Sequence, residues 1–396
     1  MDIQPAGQPD LAVDHLANAR ALIPLLQAAA PRIDQKRELP PDVLDAMHAV
    51  GMFRLLIPRS CGGAELAPAS YIQCVEAIAM GDASVAWCMN QGSVSAMSTA
   101  YLGLETARAM FCGAREVLAW GFGPNGKATR VDGGWRLTGK WAFASGNRHA
   151  TWLGGHCLCV NPDGSPISGP DGKPSERTAL FPRGKATITD DWYVLGLRGT
   201  GSDSYAVEDL FIDDAHMITR DLPAGRRETG PLYRFAMTHL YAPGFACVGL
   251  GISRQMLNDF IGLAQSKASA MVPTLLRDSQ SIQGIVGYAD ARLKAARALL
   301  IRVLEDLYAT ASLNEELSFD QRMAVRQAST YAIHEARDVA TTIYHEAGST
   351  AIFDNQPFER RLRDVNSVSQ QLQGRRAHFE TVGQHLLGLQ ASGRWI

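Results

Sequence analysis

Three patterns of hydrophobic and polar positions follow one another along the chain. From about residue 10 to 115, apolar residues recur at intervals of three and four, as in Leu11–Leu26, which predicts amphipathic helices. From about 116 to 222, short β-branched and aromatic runs alternate with Gly, Pro and Asp, which predicts a compact β-domain. From about 235 onward, long Ala-, Leu- and Arg-rich segments return to the helical period. We therefore predict an N-terminal helical domain (10–115), a central β-domain (116–222) and a C-terminal helical bundle (235–396).

Local signals place some helix boundaries. The segment Pro40–Val50 begins with two prolines and stops at a glycine, as helices commonly do. Cys61-Gly62-Gly63 predicts a loop, and the pattern after it predicts two more helices in this region. In the last region, three long segments are typical of antiparallel bundle helices: Gly284–Ala309, Asp320–Ala347 and Ser367–Leu389.

The segment Thr129–Gly146 predicts a β-hairpin. Asp132-Gly133-Gly134 suits a turn with positive φ, and alternating β-branched and aromatic residues lie on both sides. The second arm ends in Phe143-Ala-Ser145-Gly. An aromatic face two residues from a hydroxyl is suited to a flat redox-active ring, because one covers the ring and the other bonds a ring nitrogen. A Phe and a Ser on an ordinary strand would have the same pattern.

A neighbouring motif, Gly121-Phe-Gly123-Pro-Asn-Gly126, fits the glycine spacing of dinucleotide-binding proteins. That fingerprint functions where a strand leads directly into a helix, whose N-terminus meets the pyrophosphate. Here a proline lies inside the motif and a strand, Ala128–Val131, is predicted to follow. We therefore interpret it as a loop of the β-domain. The polar segment Asn161–Pro174 predicts a second surface loop.

Composition excludes several classes of protein. The 396 residues are 46% hydrophobic and 20% charged, with a formal net charge of −2, so nothing favours nucleic acid or a membrane surface. No apolar run is long enough for a membrane span, and the first residues lack a secretory signal pattern. The seven cysteines are scattered, and Cys157-Leu-Cys159 is too closely spaced for a zinc site. We expect buried free thiols, no bound metal and a cytoplasmic protein.

Five motifs, in order, resemble the acyl-CoA dehydrogenase superfamily across essentially the whole chain. The segment Leu39–Gly63 is similar to the family's entry helix and the loop after it, and Gly81-Asp-Ala-Ser-Val-Ala-Trp87 follows at the expected place. In the β-domain, Gly139-Lys-Trp-Ala-Phe-Ala-Ser-Gly146 and Leu195-Gly-Leu-Arg-Gly-Thr-Gly-Ser202 are similar to family motifs. Arg360-Arg-Leu-Arg-Asp364 resembles the segment that precedes the active-site end of the bundle.

The resemblance implies a mainly α fold with a central β-barrel or sandwich and a C-terminal four-helix bundle. It implies a flavin, FMN or FAD, between the β-domain and the bundle of a homotetramer whose neighbouring subunits share flavin sites. Phe143 matches the aromatic beside the flavin ring, and Ser145 matches the hydroxyl near its N5. Further matches are Arg277 and Gln283, reaching the flavin of a neighbouring subunit, and Gly348 and Ser349, at the flavin's distal end. The implied substrate pocket includes Trp87, Asn90 and Arg198.

The acyl-CoA dehydrogenases need a carboxylate base, which this chain lacks at the two usual places. At the common location the sequence is Gln370-Gln-Leu372-Gln373, with Leu372 where the glutamate would lie. At the variant location it is His239-Leu-Tyr-Ala-Pro243. The absence disfavours α,β-dehydrogenation, although a divergent dehydrogenase with a base from elsewhere stays open.

The other branch of the superfamily contains the flavin-dependent monooxygenases, which receive reduced flavin from a separate reductase and oxidise aromatic rings or heteroatoms. Local sequence is more similar to this branch, so we expect a monooxygenase acting on a small aromatic or heteroatom-containing substrate. Many members carry a histidine seven residues after the motif aspartate, where this chain has Gln371, which cannot take a proton at neutral pH. His149 and His239 are the remaining candidate bases, and a flavin-binding protein without catalysis is a third possibility.

Overall fold

A computed structural model describes residues 13–169, 172–268 and 274–391, and confirms the predicted order of helices, strands and helices. The N-terminal region contains α1 (His15–Lys36), α2 (Pro41–Ala49), α3 (Pro68–Gly81), α4 (Ala83–Ala96) and α5 (Leu104–Phe111). The predicted loop at 61–63 is followed by three α-helices rather than two, because short α5 follows a 3₁₀ turn at 97–101. Residues 11 and 12 of the first predicted helix lie outside the described ranges.

Capping side chains set two of these helix starts. Asp14 caps α1, accepting a 2.9 Å hydrogen bond from the Ala17 N–H, and α1 continues past Pro24 and Pro31. Asp82 ends α3 and caps α4 through a 3.0 Å bond from the Val85 N–H. The cap therefore holds the start of α4, and with it the residues that this helix presents to the β-domain.

The β-domain is an eight-stranded sheet, with the path order β6-β7-β3-β2-β4-β5-β8 and β1 paired in parallel with β4. Its strands are β1 (Leu118–Trp120), β2 (Gly126–Val131), β3 (Gly134–Trp141), β4 (Trp152–Val160), β5 (Glu176–Pro182), β6 (Thr187–Thr189), β7 (Ser204–Asp213) and β8 (Met217–Ile218). The predicted hairpin is confirmed: β2 and β3 pair antiparallel, and Gly133 turns the chain at φ +70°. Its second arm ends earlier than expected, at Trp141, so Phe143 lies beyond the strand.

The rejected dinucleotide motif is a loop, as predicted. Residues 121–125 connect β1 to β2, so a strand and not a helix follows. Glycine is required here by close packing, because a Cβ at Gly121 would lie 2.6 Å from the Trp141 Cβ. At Gly126 a Cβ would lie 2.6 Å from the Trp141 indole.

The C-terminal region contains α6 (Thr238–Ala264), α7 (Gln280–Ser312), α8 (Phe319–Ala347), α9 (Pro357–Gln370) and α10 (Ala377–Leu386). The predicted helices at 284–309 and 320–347 are confirmed, and each extends to the bounds of α7 and α8. A capping box starts α8, where Ser318 and Gln321 bond each other's backbone. Helices α6, α7, α8 and α9 pack together as the bundle.

The single helix predicted over 367–389 is wrong. The chain leaves helical geometry at Gln371, whose ψ is 167° and whose side-chain oxygen accepts a 2.7 Å bond from the Gln373 N–H. Gly374 then passes close to α9, where a Cβ would lie 2.7 Å from the Ser369 carbonyl oxygen. His378 therefore cannot be placed by counting turns from Gln371, as a continuous helix would require. Its Nε2 lies 2.8 Å from the Leu372 carbonyl oxygen instead.

Two large hydrophobic cores position the elements. One runs through the N-terminal helices and the bundle, joined by α3 against α6, and the second lies inside the β-domain. The seven cysteines are all free, and all are buried as expected except Cys112, which is exposed. In the described ranges, no helix is both long enough and apolar enough to cross a membrane.

Candidate functional site

An exposed aromatic ring marks the end of the hairpin. Phe143 is 64% exposed and has φ +63°, a left-handed conformation that is rare and strained for a bulky side chain. Its ring meets Trp192 edge-on at 5.9 Å between centroids, which leaves a ring face uncovered. Burial does not account for this ring, so the loop presents an apolar flat surface to whatever binds beside it.

Next to it, Ser145 belongs to a chain of hydroxyl groups that we call the hydroxyl ladder: Ser145, Ser202 and Thr200. The Trp87 Nε1–H donates to the Ser145 Oγ at 2.9 Å. The Ser145 and Ser202 hydroxyls are 2.7 Å apart, and so are the Ser202 and Thr200 hydroxyls. The Thr200 hydroxyl donates to the Leu197 carbonyl oxygen at 2.8 Å. All three hydroxyl residues are buried.

Trp87 connects the ladder to a column of stacked aromatic side chains. Its ring lies on Phe245 of α6 at 3.9 Å and 24°, and Phe245 lies beside Tyr241 at 5.8 Å and 15°. The Tyr241 hydroxyl is 3.0 Å from both the Gln91 Nε2 and the Ser95 Oγ. The column is thus apolar along its length and polar at the end away from Ser145.

The other two residues expected in the substrate pocket have protein partners. Asn90 is fully buried, accepts a 2.8 Å bond from the Tyr71 hydroxyl and donates to the Tyr241 carbonyl at 3.4 Å. Its amide packs so tightly on Gly244 that no Cβ would fit there. Arg198 is half-buried, with its Nε 4.0 Å from Asp34. These contacts indicate that Asn90 has a packing role inside the protein. Part of the Arg198 side chain remains accessible.

The ladder ends at the carbonyl oxygen of Leu197, and helix α9 holds this residue in place. The Leu197 N–H donates to the Asp364 Oδ1 at 2.7 Å, and Leu197 has φ +54°. Gly196 lies so close to the Arg363 backbone that a Cβ would collide with it. Two of the motifs noted in the sequence are therefore in direct contact. Burial, reinforced by nearby Asp82, raises the pKa of Asp364 to about 7.

Gln371 lies at the end of α9, seven residues after that aspartate. Its Oε1 accepts from the Gln373 N–H, whereas its Nε2 is buried without a hydrogen-bond partner among the residues that the structure describes. An unpaired buried donor costs about 1–3 kcal/mol, so a ligand acceptor at this position would be stabilising.

His149 lies beneath residues 143–146, which we call the flavin-matching loop, and not on the exposed face of that loop. A Cβ at Gly146 would lie 3.2 Å from the His149 Nε2, and the ring packs 5.5 Å from Phe53. Desolvation, with smaller contributions from His48 and Arg183, lowers the pKa of His149 to about 3. Burial disfavours the charged imidazolium, so the pKa of His149 lies well below the ordinary 6.5 that would suit a general base near neutral pH.

His239 lies in the first turn of α6, and its Nδ1 accepts a 3.2 Å bond from the Ala236 N–H. It is buried and borders a cavity of about 230 Å³. Three arginines also line that cavity: Arg226, Arg234 and Arg322.

The four residues matched to the flavin's distal part lie at one end of the bundle, and Arg277, Gln283, Gly348 and Ser349 are all exposed. The Gln283 Nε2 donates to the Arg277 carbonyl at 3.0 Å. Lys267, which the sequence did not single out, connects the segment that contains Arg277 to the segment that contains Gly348. Its carbonyl accepts from the Leu276 N–H at 2.9 Å, and its Nζ donates to the Ala347 carbonyl at 2.7 Å. Within the described ranges, no hydrogen bond or ion pair joins this end to the Phe143 loop of the same chain.

Four other residues at the site escaped the sequence reasoning: Thr200, Ser202, Tyr241 and Phe245. The first two carry a weak signal, since they are alternate hydroxyl residues in a motif that we had already noted. The aromatic pair carries none, because aromatic residues spaced four apart on a helix usually belong to a core.

Two family profiles match the chain. Residues 20–113 match the acyl-CoA dehydrogenase N-terminal domain, and residues 243–373 match the acyl-CoA dehydrogenase C-terminal domain. The matches lie on the two helical regions that flank the β-domain.

Individual proteins are similar over most of their length. An indole-3-acetate monooxygenase from Pseudomonas putida is 30% identical over 361 residues, which cover 90% of each chain. The oxygenase component of an FADH2-dependent resorcinol hydroxylase from Rhizobium sp. is 25% identical, with 100% of both chains covered. Among solved structures, the 3-HSA hydroxylase from Rhodococcus sp. RHA1 superimposes with a TM-score of 0.87 at 23% identity, covering 97% of this chain and 100% of that one.

Proposed function

Because this chain belongs to the acyl-CoA dehydrogenase superfamily, in its flavin-dependent monooxygenase branch, we propose that it inserts oxygen into a small planar aromatic compound beside Phe143 and Trp87. Flavin is the cofactor of this branch, and when bound in reduced form it supplies the electrons that activate molecular oxygen. The observation that carries the proposal is the Trp87–Ser145 hydrogen bond, which joins the flavin-matching loop to an aromatic column.

The residues at the loop fit a flavin. Phe143 offers an uncovered aromatic face, which suits one side of a flat ring system. Ser145 is buried beside it, and one lone pair of its hydroxyl has no protein donor among the described contacts. Gln371 adds a buried amide N–H for which the described part of the chain provides no acceptor. We assign Phe143 and Ser145 to holding the ring, and Gln371 to donating a hydrogen bond to the flavin or its substrate.

The aromatic column is the proposed substrate pocket. Trp87 and Phe245 are in van der Waals contact at 3.9 Å, so a substrate ring binds beside this pair or separates it. The polar group formed by Gln91, Ser95 and Tyr241 would hydrogen-bond a substituent at the far end of such a ring. Burial raises the pKa of Tyr241, which keeps its phenol neutral. The Ser95 hydroxyl donates to the Gln91 carbonyl at 2.7 Å, so Tyr241 donates to Ser95 and offers a substrate a lone pair.

We also infer that a separate reductase supplies the reduced flavin, as the "oxygenase component" name of the Rhizobium relative suggests for that protein.

We further infer a flavin site shared between subunits. It would bring a flavin bound mainly by one subunit into contact with four exposed residues of its neighbour: Arg277, Gln283, Gly348 and Ser349. An Arg side chain suits a flavin phosphate because its planar fork bonds two phosphate oxygens.

The proposal is tested by supplying photoreduced FMN or FAD, then ¹⁸O₂, with indole-3-acetate and resorcinol as separate probes. We expect one product to gain a single labelled oxygen, detected by mass spectrometry, and Phe245→Ala to reduce its yield. The matched control is Phe211→Ala, an exposed aromatic of β7.

A divergent dehydrogenase would give the opposite result. No label would enter either probe, and an acyl-CoA would bleach the absorbance of bound oxidised FAD without oxygen. That pair of results would overturn the proposed oxygenation and leave the family assignment intact.

A further inference from the structure

The hydroxyl ladder fixes the direction of every hydrogen bond that it makes. A hydroxyl has one proton and two lone pairs, an indole N–H can only donate and a carbonyl oxygen can only accept. The direction can therefore be followed from the carbonyl end. The Thr200 hydroxyl uses its proton on the Leu197 carbonyl at 2.8 Å, so in its 2.7 Å contact with Ser202 it must accept.

The same reasoning reaches Ser145. Ser202 donates its proton to Thr200, so Ser145 must donate its own proton to Ser202, 2.7 Å away. Trp87 occupies one of the Ser145 lone pairs by donating from 2.9 Å. What Ser145 retains for a ligand is one lone pair and no proton.

The carbonyl that ends the ladder is firmly held. The Leu197 oxygen also accepts from the Trp192 Nε1–H at 3.1 Å, and the Leu197 N–H is held by Asp364 at 2.7 Å. Thr200 and Ser202 are each 2% exposed, so water does not offer their hydroxyls other partners. Reversing the ladder would leave two oxygens facing each other at its closed end, which is strongly unfavourable.

We propose that Ser202 and Thr200 are positioning residues that make Ser145 a pure acceptor, and that this ladder selects the reduced flavin over the oxidised one. The proposal rests on the proposed function, in which Ser145 holds the flavin ring, and on the match of Ser145 to the family hydroxyl near the flavin N5. That nitrogen carries a hydrogen in the reduced flavin, which Ser145 can accept. In the oxidised flavin it is an acceptor, which would face the Ser145 lone pair without a proton between them.

Removing a lower rung should free the Ser145 proton. In Ser202→Ala, the Ser145 hydroxyl can rotate to donate to oxidised flavin while it still accepts from reduced flavin. One neutral hydrogen bond is worth roughly 1 kcal/mol, so we expect the preference for reduced over oxidised FMN to fall by about five- to tenfold. Thr200→Val should act in the same direction, because Ser202 can then turn its proton toward Ser145.

The experiment measures Kd for oxidised FMN in air and for photoreduced FMN without oxygen, in wild type and variants. A second readout is the midpoint potential of bound FMN. Loss of a tenfold preference for the reduced form lowers it by about 30 mV for a two-electron couple. Ser204→Ala is the matched control, since the described bond of this buried residue is from its backbone N–H to Asp191.

The outcomes separate the two proposals. If Ser145→Ala changes neither Kd, Ser145 does not contact the flavin and the proposed flavin placement is wrong. If Ser145→Ala weakens reduced FMN but both ladder variants keep the wild-type ratio and potential, the placement stands and the ladder inference is overturned. Because Thr200→Val preserves shape, it still decides the question if Ser202→Ala does not fold.

Discussion

At the scale of single residues, Phe143 is the side chain whose conformation is hardest to explain by packing. It combines a positive φ with an exposed aromatic ring just after the β2–β3 hairpin. Strained and exposed residues of this kind persist where the surrounding structure imposes them, and they are concentrated at binding sites.

We predict that Phe143→Ala weakens flavin binding by about tenfold, because it removes an aromatic contact worth roughly 0.5–1.5 kcal/mol together with its buried area. Alanine keeps the same backbone cost at φ +63°, so the comparison isolates the ring. Fluorescence titration with FMN measures the effect. Phe211→Ala, on β7, should leave the affinity unchanged, and equal losses in both variants would contradict a specific contact.

His149 gives a prediction about pH. Its folded pKa is about 3, below the ordinary 6.5, so the imidazole is already neutral throughout the neutral range and does not titrate there. We expect the pH profile of turnover to have the same inflections between pH 5 and 8 in wild type and His149→Gln. An inflection near 6.5 that disappears only in His149→Gln would contradict this and restore His149 as a general base.

At the scale of elements, the contact between the loop before Thr200 and helix α9 ties the flavin-matching loop to the bundle. Asp364 is the central group of this contact, since it accepts from the Leu197 N–H and is buried near Asp82. The ionisation of this carboxyl therefore changes the stability of the contact between the loop and α9.

The pKa of Asp364 is about 7 in the folded protein and 3.8 in the unfolded chain, so the folded state binds this proton more tightly. The resulting stability is complete below pH 4 and is lost as pH rises towards 7. Asp364→Asn cannot titrate, so wild type should lose about 4 kcal/mol relative to it as the pH rises from about 4 through 7, and nothing further above about pH 8. Urea unfolding at several pH values measures this difference. A wild type that gained stability relative to Asp364→Asn as the pH rose from 4 to 7 would contradict the assigned direction.

At the scale of the whole molecule, the distal residues of the bundle are exposed, and the partners described for Arg277 and Gln283 are close to them along the chain. Arg277 and Gln283 are exposed, and large apolar side chains are also exposed on the C-terminal region: Tyr288, Ile352, Phe353, Leu386, Leu387 and Leu389. Exposed apolar groups of this kind are commonly buried between subunits.

We therefore predict a homotetramer by light scattering, in which Arg277 reaches a neighbour's flavin. Arg277→Ala should weaken FAD binding by at least about tenfold, since a charged hydrogen bond is worth roughly 1.5–3 kcal/mol. Arg302→Ala, on helix α7 and paired with Asp306, is the control that should not change it. A monomer in solution would contradict the shared site and remove Arg277 from it.

The sequence by itself determined the order of helices, hairpin and bundle, and the family, because these depend on local periodicity, turn residues and short motifs. It failed at Gln371–Arg376, where a helical period continues although the chain turns. Gly374 packing against α9 and the Gln371–Gln373 bond decide that turn, and both are contacts of the folded chain. Tertiary structure also lowered the pKa of His149 by burial and brought Trp87, Ser145, Ser202 and Thr200 into one directional chain of hydrogen bonds. Burial and hydrogen-bond direction depend on which residues from distant segments meet, and no local pattern encodes that meeting.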